Sequence, residues 1–157
     1  MATIRQQIHN NAVALISLFI AVSSLGYNTW RNETTEAQRN VRHAAFTVLE
    51  KLGEMQEVVD ARYYYMTGKD DEAAESDLRL RGYGSAAMTR DLMNLMPGSA
   101  SEAGTALHET WLGQYGTLTD IDENGRHTEA AKSAERELTA AIETTRRAVL
   151  EVLKSLE

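Results

Sequence analysis

The chain has 157 residues, of which 43% are hydrophobic and 25% charged, so it is long enough for one folded domain and too apolar to be disordered. It contains no cysteine, which excludes disulfide frameworks, thiolate metal sites and cysteine nucleophiles. Asp and Glu outnumber Lys and Arg by 23 to 16, and the net charge of −7 argues against nucleic acid as a partner.

The first predicted element is an uncharged apolar helix near the N-terminus. From Gln6 to Trp30 there is no Asp, Glu, Lys or Arg. A helix needs about 20 residues to cross the hydrocarbon core of a membrane, and aromatic residues such as Tyr27 and Trp30 are typical of its interface. We therefore predict that residues 1–30 form a short tail and a single transmembrane anchor. A cleaved signal peptide and a buried core helix are the two alternative interpretations.

Small and polar residues recur within the anchor at alternating spacings of four and three, which places them on one face of a helix. In lipid, small residues allow two helices to approach closely, so this face predicts contact with another transmembrane helix. The expected partners are the lipid bilayer and that second helix, from another copy or from a larger membrane complex. We call the following residues the contact stripe: Asn10, Ala14, Ser17, Ala21, Ser24 and Asn28.

The positive charges around the anchor favour one orientation narrowly. Arg5 precedes the apolar run, whereas Arg31, Arg39 and Arg42 follow it. Because Lys and Arg are retained on the cytoplasmic side, the part after the anchor is predicted to be cytoplasmic, and the opposite orientation stays open. The expected location is a bacterial inner membrane, crossed once.

Residues 31–157 are predicted to form a water-exposed, antiparallel four-helix bundle, so the fold class is all-α. The predicted helices cover about 31–67, 70–96, 100–121 and 128–156, and the short loops between them favour antiparallel neighbours. In the first of these helices, apolar residues alternate at spacings of four and three, as at the a and d positions of a coiled coil. We call these residues the bundle seam: Val41, Ala45, Val48, Leu52, Met55 and Val59.

Helix ends are predicted from local signals. Gly68 is expected to end the first bundle helix, and Asp70 or Asp71 to begin the second. The run Ser99-Ala100-Ser101-Glu102 matches a capping box, and Thr128 is a predicted N-cap. Two glycines at 82 and 84 predict a kink, a break or close packing in the second helix, because glycine weakens helices. Leu95 and Ile121 are predicted to lie in the core.

No pattern of catalytic or metal-binding residues is found. None of His9, His43, His108 and His127 has a Glu three residues before it, which excludes the motif of di-iron bundles. Neither the Gly-x-Ser-x-Gly motif of hydrolases nor a phosphate-binding loop is present. We therefore predict that the protein is not an enzyme, with no catalytic residue, cofactor or metal ion.

Two functions remain open. The first is an accessory, assembly or scaffolding subunit. The contact stripe would then face the same partner as bundle residues that follow it at intervals of seven, such as Ala45, Leu52 and Val59. The alternative is a sensor-like bundle that binds a small ligand between its helices, a layout shared with membrane receptors. That alternative predicts a pocket beside Arg79, Arg81 or Tyr83.

In Tyr63-Tyr64-Tyr65, at least one ring is expected to be exposed, because three consecutive residues of a helix cannot face one core.

Overall fold

The computed structural model describes residues 11–66 and 72–156, and the regular structure of these residues is helical. The prediction of an all-helical protein is therefore confirmed. The described helices are α1 (Ala12–Asp60), which is followed by a π-helical turn (Ala61–Tyr65), α2 (Glu72–Met93), α3 (Ala100–Gln114), which is followed by a 3-10 turn (Tyr115–Thr119), and α4 (Glu129–Ser155).

The chain divides into two compact units, with the boundary between Asn40 and Val41. In the first unit, the described residues lie in α1 or directly before it, and their side chains are exposed almost without exception. By length and composition, this segment is long and apolar enough to cross a membrane. No residue in its most apolar stretch of 18 residues is buried. The core helix of a soluble protein, which is mostly buried, and a signal sequence near the N-terminus can have the same length and composition.

The second unit has a hydrophobic core to which all four helices contribute. Leu52, Met93, Trp111 and Leu138 come from α1, α2, α3 and α4 in turn, and each is fully buried. Burial of such a side chain stabilises the fold by roughly 1.5–3 kcal/mol. The core is therefore the main source of stability for residues 41–156.

Close contacts join the helices of the second unit, and along each pair the residue number rises in one helix while it falls in the other. The contacting pairs are Glu54–Ser85 and Arg62–Glu75 for α1 and α2, Gly82–Trp111 and Met93–Gly104 for α2 and α3, Ala103–Thr145 and Gln114–Glu137 for α3 and α4, and Arg42–Leu156 and Gln56–Thr139 for α1 and α4.

Glu54 links α1 to α2 through a hydrogen bond to a buried serine. Lys51 Nζ donates to both Glu54 oxygens at 2.7 and 2.8 Å, and Ser85 Oγ donates to Oε2 at 2.8 Å. The Lys51 hydrogen bond and then that of Ser85 hold the pKa of Glu54 below its ordinary value of 4.5. The charged form of Glu54 therefore stabilises the fold above about pH 4.5. That contribution is lost as the pH falls through the lowered pKa.

Replacing Ser85 with alanine is expected to weaken this link in a pH-dependent way. At about pH 7, Ser85→Ala should lower the free energy of unfolding by about 1 kcal/mol, because a hydrogen bond to a carboxylate is lost. At an acid pH low enough to protonate Glu54 in both variants, the difference should shrink, because the charge that the hydrogen bond stabilises is then gone. Urea denaturation of both proteins at the two pH values measures this, and an equal difference at both would show that the Glu54 charge is not involved.

Of the two helix N-caps predicted from the sequence, one is present in the structure and the other is not. Thr128 caps α4 as predicted, because its backbone is extended and its side chain accepts a hydrogen bond from Ala131 N at 3.1 Å. The capping box predicted at Ser99 is wrong. Ser99 has φ −81° and ψ 5°, not the extended conformation of an N-cap, and its side chain makes no capping hydrogen bond. Gly68, Asp70 and Asp71 lie outside the described residues.

Two predicted core residues are exposed instead. Leu95 is 69% exposed, and Ile121 is also exposed. The helical spacing that placed them in the core does not continue to them, because α2 ends at Met93 and Ile121 follows the 3-10 turn. At Gly82, by contrast, α2 continues without a break and packs closely against Trp111, which is one of the outcomes predicted for that site.

Candidate functional site

The described members of the contact stripe are exposed and lie on one face of α1. Ala14, Ser17, Ala21, Ser24 and Asn28 fall within an arc of about 80° on an ideal helix. Asn10 lies outside the described residues. The stripe therefore offers a continuous surface of small and polar side chains.

The bundle seam packs inside the second unit. Ala45, Val48, Leu52, Met55 and Val59 have no exposed surface, and Val41 at its start is half-buried and packs against the same core. Ala45, Leu52 and Val59 therefore have no surface to present to a partner protein. A docking surface on the second unit would have to use other residues.

The seam ends at a buried arginine, Arg62, in the π-helical turn after α1. Arg62 follows Val59 by three residues, at the next seam position, and it is only 4% exposed. Its Nη1 donates to Glu75 Oε1 of α2 and forms an ion pair with it. Its Nη2 donates to Thr119 Oγ1 at 3.4 Å, and its guanidinium carbon lies 4.0 Å from the centre of the Tyr115 ring. A π-helical turn is rare in proteins and is frequent at functional sites.

The Tyr115 ring beside the arginine packs against two further aromatic rings. The Tyr115 ring lies 5.4 Å from Trp111 and 5.1 Å from Tyr83, between ring centres, and it meets Tyr83 edge to face. Trp111 and Tyr115 are buried, whereas Tyr83 is half-buried. We call these residues the arginine cluster: Arg62, Glu75, Tyr83, Trp111 and Tyr115.

Three buried polar atoms of the arginine cluster have no hydrogen-bond partner among the described residues. These atoms are Arg62 Nε, Trp111 Nε1 and the Tyr115 hydroxyl. Burial raises the pKa of Tyr115, although the nearby Arg62 opposes this, so the hydroxyl stays protonated at neutral pH. All three groups can donate a hydrogen bond. Buried polar groups are normally paired, so these three groups are the ones in the cluster that could donate to an acceptor oxygen.

A surface groove of about 570 Å³ borders the arginine cluster, and it lies on α2. The half-buried Tyr83 belongs to both the groove and the cluster. Arg81 does not line the groove and instead pairs with Glu57 and Asp77. The lining residues are Ser76, Arg79, Leu80, Tyr83 and Gly84.

Of the three consecutive tyrosines at 63–65, one ring is packed against another side chain and two are exposed. Tyr63 stacks on His127 with 4.1 Å between ring centres, while Tyr64 and Tyr65 are exposed, as expected for at least one of the three. His43 is exposed and His108 is half-buried, and His9 is not among the described residues. In the part of the chain that the structure describes, no three His, Asp or Glu residues are grouped so that they could hold a metal ion.

Arg62, Glu75 and Tyr115 were not among the residues predicted from the sequence. One signal could have identified Arg62, because the alternating spacing of the seam continues from Met55 through Val59 to this residue. A charged residue at a buried seam position needs a partner, since an isolated buried charge is very costly. Nothing comparable in the sequence pointed to Glu75 or Tyr115, which reach the arginine from other elements.

A comparison of the chain with protein-family models, curated proteins and solved structures finds no match.

Proposed function

We propose that the chain is a single-pass membrane protein in which residues 31–157 form a water-exposed, antiparallel four-helix bundle. The exposed apolar window of α1 supports the membrane crossing, because such a surface is otherwise in contact with water. The pairwise antiparallel contacts within residues 41–156 and their shared core support the bundle.

The proposed role is non-enzymatic: an accessory, assembly or scaffolding subunit that associates through its anchor. The contact stripe is the observation that carries this role. Its described residues are exposed on one face, and they are small enough for a second helix to approach closely. The partner helix belongs to another copy of the chain or to a larger membrane complex.

The association is tested by making the stripe bulky. The double variant Ser17→Leu and Ala21→Leu is expected to reduce the complex extracted in mild detergent to the size of one protomer, because leucine prevents close approach of the helices. Native mass spectrometry of the extracted protein measures this size.

The matched control uses the opposite face of the same helix. On an ideal helix, Ala12 and Ser23 lie about 160° and 140° from the centre of the stripe. Ala12→Leu with Ser23→Leu therefore adds the same bulk and leaves the stripe open. The complex should keep its size in this control. An unchanged complex in the stripe variant would contradict the proposed association.

A second candidate function is the binding of a small ligand by the bundle, as in a membrane-tethered sensor. The arginine cluster favours it, because three buried donors without a partner lie between the helices and beside a groove. Ligand binding and anchor association do not exclude each other, since they use different parts of the chain.

A further inference from the structure

The groove on α2 combines a positive charge with an apolar floor. Arg79 is exposed, and no carboxylate among the described residues lies within ion-pair distance of it, although Arg81 and Arg90 on the same helix are both paired. Its guanidinium carbon lies 5.9 Å from the centre of the Tyr83 ring, so the charge is positioned beside an aromatic face. In a chain of net charge −7, such an unpaired cation provides a local site for an anion.

The rest of the groove is apolar. Leu80 is 73% exposed, and Tyr83 contributes its ring. Gly84 leaves space because it has no side chain, and a Cβ placed there would meet nothing within 4 Å. The groove can therefore contact a hydrophobic body next to the charged group of a ligand.

Behind Tyr83 lie the buried donors of the arginine cluster. The Tyr83 ring meets Tyr115 edge to face at 5.1 Å, and the Tyr115 hydroxyl and Arg62 Nε have no partner among the described residues. A single half-buried ring thus separates the groove from unpaired hydrogen-bond donors.

We propose that this groove binds a small carboxylate with an aromatic body, which pairs its carboxylate with Arg79 and packs its ring against Leu80 and Tyr83. Arginine binds carboxylates with two parallel hydrogen bonds, which suits this anion. The proposal deepens the second candidate function and rests on it. It is independent of the association of the anchor.

Phenylacetate is the probe for the full chain in lipid nanodiscs, with binding followed by isothermal titration calorimetry. Phenylacetate is expected to bind at least about tenfold more tightly than acetate, which lacks the ring, or phenylethylammonium, which carries the opposite charge. Arg79→Gln should weaken phenylacetate binding by about tenfold.

Gly84→Leu should abolish binding, because the new side chain fills the groove. The variant should still fold, since leucine is a better helix former than glycine and the site is open. Gly113→Leu is the matched control. Gly113 is an exposed helical glycine of α3 with equally open surroundings, and this change should leave binding unaltered.

Absence of phenylacetate binding at about 10 mM, or equal binding by Gly84→Leu, would overturn the proposal. A thermal-shift screen distinguishes a wrong choice of ligand class from the absence of ligand binding. If a thermal-shift screen finds a neutral or cationic compound whose stabilising effect is lost in Gly84→Leu but kept in Gly113→Leu, the carboxylate is wrong and ligand binding stands. If no compound shows that pattern, both are wrong.

Discussion

Gly82→Ala is expected to destabilise the second unit by about 2–3 kcal/mol. A Cβ at this position would lie 2.5 Å from Cζ2 of Trp111 and 3.2 Å from Val58 Cγ1. The indole is fully buried and rigid, so it cannot move away without disturbing the core. The gain in helix propensity of about 1 kcal/mol is smaller than this cost.

Gly84→Ala is the matched control, two residues further along the same helix. A Cβ there meets nothing within 4 Å, so only the helix propensity changes. Gly84→Ala should therefore stabilise the protein by about 0.5–1 kcal/mol. Urea unfolding followed by circular dichroism measures both variants, and a Gly82→Ala protein as stable as the wild type would show that α2 and α3 do not pack through this glycine.

Glu75→Gln is expected to lower the free energy of unfolding by about 1–3 kcal/mol. The change leaves the buried Arg62 guanidinium without its carboxylate, and breaking a buried ion pair from one side costs about 3–5 kcal/mol. The cost is smaller here because the Glu75 side chain is 38% exposed, so water can replace part of the lost interaction.

A double-mutant cycle separates the charge from the packing. Arg62→Met keeps most of the side-chain volume over Tyr115 but removes the charge, so Arg62→Met combined with Glu75→Gln should be more stable than Glu75→Gln alone. Chemical denaturation of the four proteins gives the coupling energy. If Glu75→Gln unfolds within about 0.3 kcal/mol of the wild type, the guanidinium is solvated and the ion pair does not hold α1 to α2.

The sequence was sufficient for the elements that depend on local patterns. The uncharged run before Arg31 and the regular spacing of Val48, Leu52 and Met55 predicted α1 and its buried face, because helical periodicity follows directly from the order of residues. The Thr128 cap was predictable for the same reason, since its hydrogen bond joins residues three apart.

Periodicity failed where helices end. Leu95 continues the spacing of α2 in the sequence, but the helix ends at Met93 and the side chain becomes exposed. Ser99 has a good capping residue type, yet its backbone conformation is set by the turn around Gly98, which has φ +74°. Such features depend on the path of the chain between helices.

The candidate site was predictable only in part. Arg79 and Tyr83 were named as flanking a possible pocket, and both line the groove. The arginine cluster was missed because Arg62 at the end of an apolar seam resembles an ordinary exposed helix end. Its partners Glu75 and Tyr115 come from other elements, and contacts between distant parts of the chain have no local signature in one sequence.

Cysteine labelling in intact membranes tests the central claim, the membrane crossing, most directly. The chain has no cysteine, so each single-cysteine variant reports on one position. With a membrane-impermeant maleimide, Ser17→Cys and Ala21→Cys should stay unlabelled from either side, and Thr35→Cys should react from the side that holds the bundle. All three should react after the membranes are dissolved and the protein denatured in a detergent such as SDS. Labelling of Ser17→Cys in intact membranes as fast as Thr35→Cys would contradict the crossing.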